Sequence, residues 1–219
     1  MKKTMINIFD DSTNTMVTKE VTNNESSICA KCGQCCKKMP CHIAPIDVFG
    51  DDEPTIEKFV EFVANPKIAI DWWEGDPRYD LYGYDYKNPI EYEPFITRGY
   101  YLRPAVAGIE RKFDASWGGA CCFLTETGCA LDWEHRPLGG KTLVPPKTLD
   151  EKCVPMYTKC QCAVDWTKYH EWFEKINTIL DIIDAANDYN IDVINFARDT
   201  ESDEMQKLVK IYLDQLNKK

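Results

Sequence analysis

The chain reads as an α+β fold with an irregular, cysteine-rich core, short strands and packed C-terminal helices. Three observations lead there. Eleven cysteines fall into three tight groups separated by long cysteine-free stretches. Residues 71–104 mix ten aromatics with four prolines, which resists long regular elements. After residue 162, apolar residues recur three and four apart, the spacing of helix faces. With 219 residues, 44% of them hydrophobic, the chain can bury a core of its own. One domain over 1–219 is expected: an N-terminal hairpin at 1–28, a cysteine-rich core at 29–162 and helices over 163–219.

The first element, "MKKTMINIFDDSTNTMVTKEV", alternates Ile6 and Ile8 before a polar turn, then Thr15 and Val17 after it. That is a hairpin pattern. It lacks the apolar stretch that follows the lysines of an export signal, so a cytoplasmic protein is expected. No run of about 18 apolar residues exists, and no membrane partner is expected. In a reducing compartment, dense cysteines signal metal or redox chemistry more often than a disulfide framework. Eleven is also odd, and a closed set of disulfides cannot use it up. The core is therefore expected to be metal-stapled.

Next, "DEPTIEKFVEFVAN" predicts a helix with Pro54 at its first position and Ile56, Phe59, Val60 and Val63 on one face. The aromatic stretch is expected to be irregular, with a short strand at "YYLRPAV". Most of its rings read as core packing. Tyr100, Tyr101, Arg103 and Trp117 are candidate pocket residues, with Arg98 and Arg103 as anion-binding groups. Trp166, Tyr169, Phe173, Ile176, Leu180 and Ile183 predict a long helix that Asp165 could cap. A looser stretch follows at "NDYNIDVINFARD", then a helix presenting Met205, Leu208, Val209, Tyr212, Leu213 and Leu216.

A net charge of −10 argues against a nucleic-acid partner, because phosphate binding draws on clustered Lys and Arg. Residues 181–204 hold eight acids and one base, a solvated helical face rather than a docking patch.

The first cysteine group is "CAKCGQCCKKMPC". In C-x₂-C, two residues between thiolates let both reach one metal, and Gly33 permits the positive φ such a turn uses. Cys29, Cys32 and Cys35 extend this to C-x₂-C-x₂-C, the run that holds three irons of a [4Fe–4S] cluster. Side chains of adjacent residues diverge, so Cys36 is expected to serve another ion, a bridge or a buried position. Cys41 and His42 are ambiguous from spacing alone. In the second group, Cys122 and Cys129 have six residues between them across a Gly128 turn and can face the same way, with Cys121 spare. The third group holds Cys153, Cys160 and Cys162.

"CxxCGxCC", followed far downstream by "CFLTETGCAL" and "EHRP", resembles the CxxCxxCC cysteine-cluster family, the YkgJ-like proteins described as zinc- or iron-chelating. The resemblance runs from Cys29 to the segment after Cys162. It implies that Cys29, Cys32, Cys35, Cys36, Cys122 and Cys129 are metal ligands. Many relatives continue R-P-x-x-C, whereas here Arg136-Pro137 leads to Leu138-Gly139-Gly140. Either one ligand is lost or Cys153 supplies it, and Cys153 is the reading adopted.

Six or seven thiolates exceed the four of a tetrahedral zinc, and the run of three tips the choice toward an iron–sulfur cluster, with zinc as the alternative. Two functions follow. One is an Fe–S-dependent enzyme modifying a peptide or protein, since some members of the family resemble lysine N-methylases acting on flagellin. No G-x-G-x-x-G loop for a methyl donor is present. The other is a non-catalytic zinc protein whose metal staples an interaction module. A thiol redox or metal-trafficking role for Cys160 and Cys162 is a third.

Overall fold

The computed structural model describes residues 4–10, 15–21, 33–83, 91–115, 118–144 and 154–218. Among these the fold is α+β, with strands in antiparallel two-stranded pairs. The hairpin forms as the alternation predicts: β1 (Thr4–Asp10) pairs with β2 (Thr15–Val21), with Ile8 opposite Val17. A one-turn helix α1 (Pro45–Phe49) precedes α2 (Ile56–Ala64). Thr55 caps α2 by accepting the Lys58 N–H, so Pro54 lies just before the cap and not at the first helical position.

The aromatic stretch is more regular than its prolines suggest. β3 (Ile68–Glu74) and β4 (Arg98–Pro104) pair over seven residues each, from Ile68 opposite Pro104 to Glu74 opposite Arg98. Pro104 ends its strand and Pro77 opens a short helix, α3 (Pro77–Tyr82), so both punctuate the elements without breaking them. The pocket role expected of Tyr100, Tyr101 and Arg103 does not hold. Tyr101 and Arg103 are buried. Tyr100 stacks on His170 and Phe173. Arg103 cannot serve a free anion: its guanidinium pairs with Asp71 at 3.0 Å and Asp114 at 2.8 Å. Trp117 and Cys153 lie outside the described residues.

Two-residue strands carry the next section: β5 (Leu124–Thr125) with β6 (Gly128–Cys129), and β7 (Leu143–Val144) with β8 (Val154–Pro155). Between them sits the turn-length helix α4 (Leu138–Lys141). The C-terminal third is helical, starting earlier than its stripe implies. Helix α5 (Lys159–Trp166) is capped by Thr158, so Asp165 lies inside it. A 3₁₀ turn (Thr167–Tyr169) leads into α6 (His170–Asp188). The stretch read as looser contains α7 (Val193–Thr200), capped by Asp192, and α8 (Asp203–Leu216) ends the chain.

The core lies where α2, α6 and α8 pack together against β3 and β4. Phe59, Val60 and Val63 of α2, Phe173, Ile176 and Ile179 of α6, and Leu208 and Val209 of α8 are fully buried. Trp166 stands among them, its ring 5.6 Å from Phe59 and 5.5 Å from Phe173. Such aromatic pairs add about 0.5–1.5 kcal/mol beyond the area they bury. The Trp166 indole N–H donates to the Ile43 carbonyl at 2.8 Å, and the Ile43 N–H donates to the Leu102 carbonyl at 2.9 Å. These bonds fasten the end of the first cysteine segment to the core. No described helix is long and apolar enough to cross a membrane.

Candidate functional site

The first cysteine segment is a tight turn. The Lys37 N–H donates to the Gly33 carbonyl, and those of Lys38 and Met39 to Cys35. Gly33 has φ 63°, as its place after C-x₂-C predicts, and a Cβ there would lie 2.9 Å from the Leu124 methyl. This turn is held against the second cysteine group by two backbone bonds: Cys121 N–H to the Cys36 carbonyl at 2.7 Å, and Gly119 N–H to the Lys38 carbonyl at 2.8 Å. Gly119 is forced by contact as well as by its φ of 137°, since a Cβ would fall 2.3 Å from Val106 Cγ1.

Cys129 arrives through the β5–β6 hairpin, opposite Leu124. Thr125 steadies the hairpin by donating to the Gly128 carbonyl at 2.8 Å. The following segment is tied back by Asp47. Its carboxylate accepts the N–H of Ala44 at 2.8 Å and that of Leu138 at 2.8 Å, binding α4 to α1.

Together these pieces enclose a cavity of about 250 Å³. Cys35, Cys36, Cys41, Cys121 and Cys129 line it, with Arg136 on the same wall. Phe123, Leu131 and Tyr157 make much of the rest apolar. A larger cavity of about 620 Å³, lined by Phe49, Tyr82 and Asp165 among others, holds none of the cysteines, and Tyr157 lines both.

Burial and the neighbouring sulfurs of Cys121 and Cys129 push the Cys36 thiol up to about 11. Burial raises Cys41 well above the ordinary thiol range. Cys121 is raised by its hydrogen bond to Cys122 and by burial. Cys122, nearer solvent, is lowered by that same bond, with Lys67 also helping. The bare thiols of Cys36, Cys41 and Cys121 therefore stay protonated at neutral pH. A thiophilic cation would favour their ionised form, as metal binding to cysteine releases protons.

The donor chemistry fits a soft metal: several sulfurs, apolar walls and one guanidinium to offset excess thiolate charge. Among the described residues, no group of three or more His, Cys, Asp or Glu is arranged to hold one metal ion. Cys29 and Cys32, which continue the turn upstream, and Cys153 lie outside those residues. Cys35, Cys36 and Cys129 of the expected set reach the cavity. Cys122 is off its lining, with Sγ 3.5 Å from the Lys67 carbonyl. Cys41 and Cys121, one left open by spacing and one set aside, both line it.

The remaining candidates separate. The Cys160 thiol meets the Pro77 carbonyl at 3.4 Å and the Cys162 thiol the Ile43 carbonyl at 3.4 Å, so this C-x-C does not present a pair. His42 also lines the cavity, its ring edge-on to Tyr101 and its Nδ1 buried without a hydrogen-bond partner. Burial first, then Lys159, lowers it to about 4. His135 is exposed and pairs with Asp132. His170 stacks on Tyr100.

Comparison of the chain with family models, with curated proteins and with solved structures gives no match in any of the three.

Proposed function

We propose that this chain is a cytoplasmic metal-binding protein holding a thiolate-ligated centre, an iron–sulfur cluster ([4Fe–4S] favoured) or zinc. Cys29, Cys32, Cys35, Cys36, Cys122, Cys129 and Cys153 are its proposed ligands. The observation that supports the reading is convergence. Two cysteine groups far apart in sequence line one largely apolar cavity, and backbone bonds from Cys121 and Gly119 hold their segments together. Packing alone gives no reason to bring five thiols to one place.

The metal serves an Fe–S-dependent modification of a peptide or protein in this reading. The large cavity beyond Tyr157 favours it, as space beside the centre for a substrate. A second reading is a non-catalytic zinc protein and interaction module. It is favoured by the shortness of β5 to β8, two residues each, around the cysteines. A bound metal supplies folding free energy that such strands cannot.

The deciding experiment is metal and acid-labile sulfide analysis of protein purified without oxygen, with Cys36→Ser and Cys129→Ser beside it. Iron with sulfide in the parent, and at least twofold less in both variants, is expected. Stoichiometric zinc without sulfide selects the zinc reading. A parent free of both metals overturns the proposal.

A further inference from the structure

Position 140 directs attention to Cys41. Two glycines stand side by side in α4, and the packing demands only one. A Cβ on Gly139 would lie 2.6 Å from the His42 nitrogen and 2.7 Å from its oxygen, a backbone clash no side chain can relieve. That close approach permits the Gly139 N–H to reach the His42 carbonyl at 3.1 Å. Gly140 is different. It is not among the glycines with positive φ, and a Cβ there would make ordinary contacts only. The nearest is Cys41 Sγ at 3.4 Å, followed by Arg136 Cδ and Cγ at 3.8 Å. The space a side chain at 140 would enter is bounded by the Cys41 sulfur.

We propose that Cys41 is a further ligand of the thiolate centre, its sulfur standing in the corner of the cavity that a side chain at position 140 would enter. The inference rests on the metal-binding reading above and extends its ligand set.

Three further observations support it. Cys41 lines the cavity with Cys36, Cys121 and Cys129. Those three sulfurs are also the thiols whose charges act on it. Its backbone is well anchored, because the next two residues are fixed by the Gly139–His42, Ile43–Leu102 and Trp166–Ile43 bonds. A ligand on an anchored segment is positioned before the metal arrives.

The test uses the full chain purified without oxygen, with metal per chain and far-ultraviolet circular dichroism measured on three variants. Cys41→Ser is expected to lose at least half the metal of the parent. Gly140→Cys alone is expected to fold, as its contacts allow. The double variant Cys41→Ser/Gly140→Cys is expected to regain metal to near the parent level, because the transplanted thiol enters the same corner. Should Cys41→Ser fail to fold, the double variant decides alone: a folded, metal-loaded protein supports the assignment, and a folded, metal-poor one overturns it. Cys41→Ser with the parent's full metal content also overturns it and leaves the metal-binding reading standing. A parent without metal removes the reading and the inference together.

Discussion

The two sides of this molecule are held together by different means. On one side, α2, α6, α8 and the β3–β4 pair bury long apolar stripes, with Phe59, Trp166 and Phe173 at the centre. On the other, residues 33–44 and 118–144 contain only two-residue strands, one-turn helices and single bonds between segments distant in sequence. The first side has many mutually supporting contacts, and its stability is a property of the stripes. The second depends on individual bonds, among them Cys121–Cys36, Gly119–Lys38, Cys122–Ala105 and Gly139–His42, and on the Asp47 carboxylate. A bound metal would matter far more to the second side than to the first.

The largest effect should come from a place where the ordered side also depends on a few polar groups. Arg103 is 3% exposed and bonds to Asp71, Asp114 and the carbonyls of Pro104 and Asp114. Arg103→Met would remove the buried cation that bridges two buried carboxylates, leaving Asp71 with Lys159 at 3.9 Å and Asp114 with the exposed Arg111 at 3.6 Å. Breaking such a network from one side costs about 3–5 kcal/mol. Urea denaturation should show that loss, and a change below about 1 kcal/mol would mean that water already serves the two acids.

The same contrast explains what could be read from the sequence. Hairpin alternation, the α2 face and the α6 and α8 stripes were legible because each repeats a period, although toward the end of α6 the buried positions are Ile179 and Ile182 rather than Leu180 and Ile183. Helix α5 was not, since Gln161, Cys162, Ala163, Val164 and Trp166 are all buried and leave no polar face to set a period. Strand β3 was missed for the same reason, as Ile68 to Asp71 are buried in succession. At the cavity, spacing identified the convergence of two cysteine groups but not which of two adjacent thiols would line it. Strict alternation from Leu124 would place Cys122 on the Cys129 side. Instead the Leu124 N–H donates to the Cys121 carbonyl, closing a turn over 121–124 that contains no Gly, Pro, Asn or Asp to announce it. Nor can periodicity show Cys41, whose place depends on backbone contacts with Gly139.

A second, smaller effect tests the boundary between the sides, where His42 and Asp47 titrate in opposite senses. Burial lowers His42 to about 4, so the unfolded chain binds its proton more tightly and this group costs stability as pH falls from about 6.5 to 4. Burial raises Asp47 to about 6 against the pull of its two backbone N–H bonds. The folded chain binds that proton more tightly, so Asp47 costs stability as pH rises from about 4 to 6. Each contribution is on the order of 3 kcal/mol, and in the parent they largely cancel. Relative to the parent, His42→Leu should gain stability as pH falls through this window, and Asp47→Asn as pH rises through it. Urea midpoints at pH 4, 5, 6 and 7 would read both differences, and two flat differences would show that neither group titrates on folding.

The smallest effect sharpens the comparison most directly, because it touches the element both sides share. Helix α5 carries Trp166 into the aromatic core, and the residue just before its cap, Tyr157, lines the cysteine cavity. Its start depends on Thr158, whose hydroxyl accepts the Gln161 N–H at 3.1 Å. Thr158→Ala should cost about 1 kcal/mol, the ordinary value for a lost N-cap. Ser202→Ala at α8 removes a longer bond, 3.3 Å to the Met205 N–H, at an exposed helix end, and should cost less. If the stripes govern stability and the cavity merely rests on them, Thr158→Ala will lower the urea midpoint and leave the metal content of the parent unchanged. A matched loss of metal would show instead that α5 transmits the order of the core to the cysteines, since the substitution removes no sulfur and lies one residue outside the cavity wall.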